Sequence, residues 1–240
     1  MAIVVVQNIA PGGAGVDEGI NASYTPTTPF TAGNTIFVIA SDFSNTGQPT
    51  SATVNGNAMT NDASIDVGPF AGHLNIWRLT NLASSGNVVV NWSGDGSPVG
   101  NYILRGILEV SGLDATPIDQ EPTPTGATDT APTITSGTTT QADEIVIAAF
   151  AIGDASGGDP TITNPGTYTE VFRNGAWSTE AAGGCAYKIV SATGAQTATW
   201  ALSVSCTWEA VMLTYKASSG APAVVAPPAP RNPLFFGSFP

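Results

Sequence analysis

The chain has 240 residues, of which 42% are apolar and only 10% charged, and its formal net charge is −12. With six Lys and Arg against eighteen Asp and Glu, no basic stripe exists to displace counterions from phosphates or to seek an anionic bilayer. This composition predicts no nucleic-acid partner and no membrane partner. Charge at less than half the usual ~25% leaves Ser, Thr, Asn and backbone to wet the surface, while the apolar fraction suffices for a packed core.

The first apolar run, Ile3-Val4-Val5-Val6, has no Lys or Arg before it and stops at Gln7-Asn8. It lacks the layout of a signal peptide, and maturation in a cytoplasm is expected. No run is long enough for a spanning helix. Ile36, Val38 and Ala40 alternate with Phe37 and Ile39, fenced by Gly33-Asn34 and by Asn45-Thr46-Gly47; this is a strand. Leu74 and Ile76 lie on one face while Trp77 and Leu79 fall off a strict alternation, as in a strand covered on both faces. Val88–Trp92 and Ile103–Val110 follow as further strands. Turn signals recur at Asn55-Gly56, Ser85-Gly86-Asn87, Gly94-Asp95-Gly96, Asn174-Gly175 and Ala192-Thr193-Gly194, and no window carries a capped helical period. Six or seven short strands in about 110 residues match an immunoglobulin-like or jelly-roll sandwich. The expected fold class is all-β.

The chain repeats itself. NTIFVIA at 34–40 returns as DEIVIAA at 143–149, an offset of 109 residues. Ile76-Trp77-Arg78-Leu79 returns as Ala186-Tyr187-Lys188-Ile189, Trp92 as Trp200, and Ile107-Leu108 as Met212-Leu213. Gln7 has a weaker counterpart in Gln120. Near-constant offsets define a duplicated unit with its seam at Gly112-Leu113. The expected organisation is two tandem antiparallel sandwiches, residues 1–112 and 113–217, followed by a Pro-rich extended tail at 218–240. The alternative is one large sandwich to which each unit contributes part of both sheets. In the tandem reading, residues 1–112 fold alone around Ile36, Val38, Ile76, Val89, Trp92 and Leu108.

Candidate chemistry is sparse. His73 is the only histidine, so any nucleophile–base arrangement must run through it, and a hydrogen-bonded strand-edge histidine is the plainer reading. Asp62, Asp66, Asp114, Asp119 and Glu121 are the carboxylates available for glycoside hydrolysis, yet their Ser, Thr, Gly and Pro neighbours read as solvated loops. Asp154 with Asp159, or Asp114 with Asp119 and Glu121, are candidate calcium ligands without EF-hand spacing. The Gly94–Gly100 run reads as a turn rather than a phosphate loop. Cys185 and Cys206 are expected to be buried free thiols. Recurrence of the large aromatics at equivalent repeat positions points to core packing rather than to a sugar-stacking platform. The sequence thus predicts no enzyme, no cofactor and no metal.

The tail differs. Five prolines between residues 222 and 233 favour an extended chain, about 40 Å long at ~3.1 Å per residue, that ends in Leu234, Phe235, Phe236 and Phe239. These four apolar residues, with Arg231, are the expected partner-binding residues.

GNTIFVIAS, ADEIVIAAFA and CAYKIVSATGAQTATW…WEAVMLTYKA resemble a β-sandwich repeat of tailed-bacteriophage virion structural proteins and bacterial surface modules. The resemblance implies a capsid decoration (cement) protein or head fibre. Such a protein is assembled in the host cytoplasm, located in the virion, and bound to the major capsid protein or another virion subunit as a homo-oligomer on the particle. A carbohydrate-binding receptor or adhesin module is the alternative.

Overall fold

The computed structural model describes residues 1–10, 21–42, 48–67, 73–93, 102–155, 157–177 and 182–219. It is all-β. The first half runs β1 (Val4–Ile9), β2 (Asn21–Tyr24), β3 (Thr35–Asp42), β4 (Gln48–Val54), β5 (Asn57–Ala58), β6 (Thr60–Asp66), β7 (His73–Leu79), β8 (Val88–Ser93) and β9 (Tyr102–Ser111). In the second half come β10 (Leu113–Gln120), β11 (Thr125–Asp129), β12 (Thr133–Thr135), β13 (Asp143–Asp154) and β14 (Ile162–Thr163). The chain continues through β15 (Thr169–Asn174), β16 (Gly183–Ser191), β17 (Thr197–Thr199), β18 (Ala201–Leu202) and β19 (Cys206–Ala217).

Each half builds one large sheet. Their strand orders are β1-β9-β3-β7-β6 and β10-β19-β13-β16-β15, with β11 also paired to β19. A smaller layer covers each: β2-β8-β4-β5 in the first half, the ribbons β12-β17 and β14-β18 in the second. Among the described residues no strand before the seam pairs with one after it. Even a bulge recurs, between Asn61 and Ala63 on β6 and between Glu170 and Phe172 on β15.

Pairing and facing relate Phe37 to Ile147 and Leu108 to Leu213. On β3 and β13 this is an offset of 110, one residue from the match visible in the sequence. The difference matters because a one-residue slip moves every side chain to the other face. Phe37 faces the middle of the molecule as Ile147 does, whereas Val146, its sequence match, faces the outer layer.

Three apolar layers follow from this. Ile36, Val38, Trp77, Val88 and Val90 lie between the first large sheet and its cover. Val146, Ala148, Phe150, Trp200 and Met212 do the same in the second half. Between the two large sheets lies a core common to both halves, with Phe37, Ile39, Ile76 and Leu108 on one side and Ile147, Cys185, Leu213 and Tyr215 on the other. Both large sheets are therefore covered on both faces, which is why Ile36–Ala40 of β3 and Ile145–Ile152 of β13 are unbroken apolar runs. On β13 every residue between its two terminal aspartates is buried.

The halves meet reciprocally. β6 packs on β19, and β15, the counterpart of β6, packs on β9, the counterpart of β19. This is the geometry of an isologous dimer realised in one chain. Gly106 on β9 permits the close approach, since a Cβ there would strike Val171 of β15. At the edge, the Asn8 amide donates to the Glu170 carbonyl at 2.8 Å. A common middle core also alters the expectation that residues 1–112 fold alone.

Ile36, Val38, Ile76 and Leu108 are fully buried as expected. Val89 is not: β8 points Val88 and Val90 inward and leaves Val89 half-exposed. The Trp92 side chain lies outside the described part. The surface is wetted by hydroxyls, as in the cross-strand pairs Thr133–Thr199 at 3.1 Å and Thr135–Thr197 at 2.9 Å.

Cys185 and Cys206 are both free and buried, and they sit in different core layers. Burial raises the Cys206 thiol to about 11, with the Asp154 charge adding to it. Neither thiol should react in the native protein. Cys185→Ala should cost about 1–2 kcal/mol through the small cavity it leaves. Mass spectrometry after denaturing alkylation without reductant should find both residues labelled; an unlabelled pair would contradict the free-thiol geometry.

Candidate functional site

Of the acids and the histidine that the sequence offers for catalysis, Asp66 and His73 come together, and no third such group joins them among the described residues. His73 is buried at the start of β7, with Nε2 3.5 Å from the carboxylate of the exposed Asp66. Asp114 caps its own turn, accepting from the Thr116 N–H at 3.0 Å. Asp154 and Asp159 are exposed. Among the described residues no three His, Cys, Asp or Glu side chains converge on one point, so Asp114, Asp119 and Glu121 form no common site. The Gly94–Gly100 run lies outside the described residues, as do Arg231, Leu234, Phe235, Phe236 and Phe239. Trp77, Trp200 and Trp208 are buried.

Asp62 corrects a sequence expectation. It is no solvated loop acid but the bulged residue of β6, with a fully buried side chain. Arg78 grips it with two N–H donors, Nε at 2.7 Å and Nη2 at 3.0 Å, and the Tyr215 hydroxyl donates from the other half at 3.0 Å. The Tyr215 ring stacks at a tilt on Phe37, with centroids 4.7 Å apart. Burial first, then the Asp62 carboxylate, holds the Tyr215 phenol well above its ordinary range.

Two further polar nodes occupy equivalent places in the halves. In the first, Glu109 of β9 is fully buried yet fully served. It accepts from Gln7 Nε2 at 2.6 Å, Asn34 Nδ2 at 2.6 Å and the Thr31 N–H at 2.7 Å. Register places Gln120 opposite Thr214 as it places Gln7 opposite Glu109, and the offset of 110 puts Glu144 where Asn34 stands. In the second node the acid has therefore moved from the β9-type strand to the β13-type strand.

Glu144 is fully buried, and neither of its oxygens has a hydrogen-bond partner. Asp119 is close by, accepting from the Thr140 N–H at 2.6 Å and from the Thr140 hydroxyl. Burial pushes Glu144 up to about 7, and the Asp119 charge adds to that. Burial acts upward on Asp119 too, but the Thr140 donors outweigh it and hold its carboxyl below the usual range. The sequence signal for both nodes was an acid against an apolar run, Glu109 inside Ile107–Val110 and Glu144 at the head of Ile145–Ala149.

Two clefts open along the β6 side of the junction between halves. One, of about 450 Å³, runs between Asp66-Val67 and the Thr207–Glu209 stretch of β19 with β11 beside it. Burial raises the Glu209 carboxyl, and the Asp66 charge contributes. The other, of about 380 Å³, is lined by Thr60, Arg78 and Thr80 against Ala115, Thr116 and Ile118. Its one cation, Arg78, is already engaged by Asp62. The first cleft sets the carboxylates of Asp66 and Glu209 among the Thr128 and Thr207 hydroxyls, and the second offers polar contact.

No family model, curated protein or solved structure matches this chain.

Proposed function

We propose that the protein is a non-enzymatic virion component that decorates the exterior of a tailed-phage capsid and is attached through its C-terminal segment. The resemblance of its repeat segments to virion sandwich repeats motivates this reading. One observation supports it most: the body satisfies its own apolar surface. Among the described residues only Met1, Val4, Val6 and Ile189 are large hydrophobics left exposed. The Leu234–Phe239 cluster is then the sticky element left for a partner. Few charges, mostly negative, suit an outer surface better than one facing packaged DNA. Many copies on a regular shell would gain avidity from modest single contacts.

Deleting residues 221–240 should leave the melting profile unchanged and abolish attachment. Purified full-length and truncated proteins, each added to particles lacking the protein and imaged by electron microscopy, provide the test. Full occupancy by the truncated form would refute the anchor, and no binding by the intact form would refute the capsid reading itself.

A further inference from the structure

The two polar nodes differ in a chemically decisive way. Glu109 meets three N–H donors, whereas the equally buried Glu144 makes no well-formed hydrogen bond, with Thr214 and the Gln141 N–H only near it and a second acid, Asp119, beside it. An ionised carboxylate without donors is costly to bury, and two adjacent carboxylates do not both ionise readily. We propose that Glu144 and Asp119 hold one proton between them in the folded protein, and that its release loosens the Thr140–Gln141 stretch that holds the end of β19.

The coupling to the end of β19 follows from what surrounds the pair. Thr140 and Gln141 link the two acids along the chain. The Thr140 N–H is bound by Asp119, and Gln141 Nε2 donates to the Ala217 carbonyl at 3.2 Å. The Met1 ammonium donates to the Ser218 carbonyl at 2.7 Å. The end of β19, from which the C-terminal segment departs, is thus tied to the stretch that the acid pair fixes. The charged groups facing Glu144 are Asp119 from β10 and Lys216 directly across on β19. On β16 its partner is Val190, with Lys188 next on that face and bonded to Gln196 at 3.3 Å. Thr214 and the Gln141 N–H are the neutral groups closest to the pair.

The sign follows from linkage. Glu144 rises from an ordinary 4.5 to about 7 on folding, so between these values the folded state binds more protons than the unfolded one. The node's stabilisation is complete below about 4.5, falls away as pH climbs to about 7, and is constant beyond. Asp119, shifted downward, acts only at more acid pH. Burial raises the Glu209 carboxyl as well, so the measurement is differential. Glu144→Gln fixes the neutral state and keeps a donor for Asp119.

The full-length wild type should lose roughly 5 °C more in Tm than Glu144→Gln between about pH 5 and pH 8. Hydrogen exchange at the Thr140 amide, corrected for its intrinsic rate, should accelerate over that range in the wild type alone. Parallel Tm curves would overturn the proposal. Should Glu144→Gln not fold, infrared spectroscopy of the wild type decides: a protonated-carboxyl stretch present near pH 6 and lost by about pH 8 supports the shared proton, and its absence near pH 6 overturns it.

Discussion

Asp62→Ala should destabilise the protein by about 3–5 kcal/mol, the range for breaking a buried ion pair by removing one partner. The mechanism is specific. Alanine leaves the Arg78 guanidinium, whose side chain is only 12% exposed, without its two acceptors. It also leaves the Tyr215 hydroxyl without its acceptor in the middle core. Asp62→Asn should cost less, because an amide oxygen still accepts from Tyr215. Replacing Asp62, Arg78 and Tyr215 together by Ala, Met and Phe should recover most of the loss, since no polar group is then orphaned. Urea unfolding at neutral pH reads all three variants. A loss below about 1 kcal/mol for Asp62→Ala would mean that the pair is solvated, as surface ion pairs are.

The same position in the other half shows what the ion pair adds. Val171 is the bulged residue of β15, and it meets Gly106 rather than a charged partner. One end of the reciprocal contact is therefore closed by apolar packing and the other by a directional ionic and hydrogen-bonded triad. Apolar contact tolerates sliding, whereas the Arg78–Asp62–Tyr215 geometry accepts a single placement of β6 on β19. The two ends are not interchangeable, and this fixes how the halves mate.

Much of this was legible in the residues, and the remainder had physical reasons to be hidden. β-Branched alternation and dense turn signals marked the strands, and the offsets marked the duplication. The offsets on β3 and β13 misled by one residue because both strands are apolar on both faces. Without alternation, nothing in the sequence marks which side a residue takes. The face-to-face union of the halves was hidden for the same reason, since a doubly buried strand does not say what covers it. Asp62 looked like a loop acid because its neighbours Thr60, Asn61 and Ser64 are polar; the bulge that turns it inward leaves no compositional trace. Glu109 and Glu144 were visible only as misfits, acids where apolar residues were due.

Residues 1–112 expressed alone should not form a stable monomer. Eight of their side chains, Ile3, Phe37, Ile39, Ile65, Leu74, Ile76, Leu108 and Val110, are buried in the middle core. At roughly 1.5–3 kcal/mol each, uncovering them forfeits about 12–24 kcal/mol gross, as large as the whole stability of an ordinary domain. The fragment should precipitate or self-associate. The reciprocal contact offers it one ordered route, a two-fold dimer through the same sheet. That dimer is flawed, because Val110 stands where Tyr215 stands in the other half, so Asp62 finds no hydroxyl across the interface. Co-expression with residues 113–219 should therefore outcompete self-association and return a soluble one-to-one complex. Light scattering coupled to size-exclusion chromatography distinguishes these species. A folded, soluble monomer of residues 1–112 would show that the first large sheet does not need its partner, and the common core would then contribute little to stability.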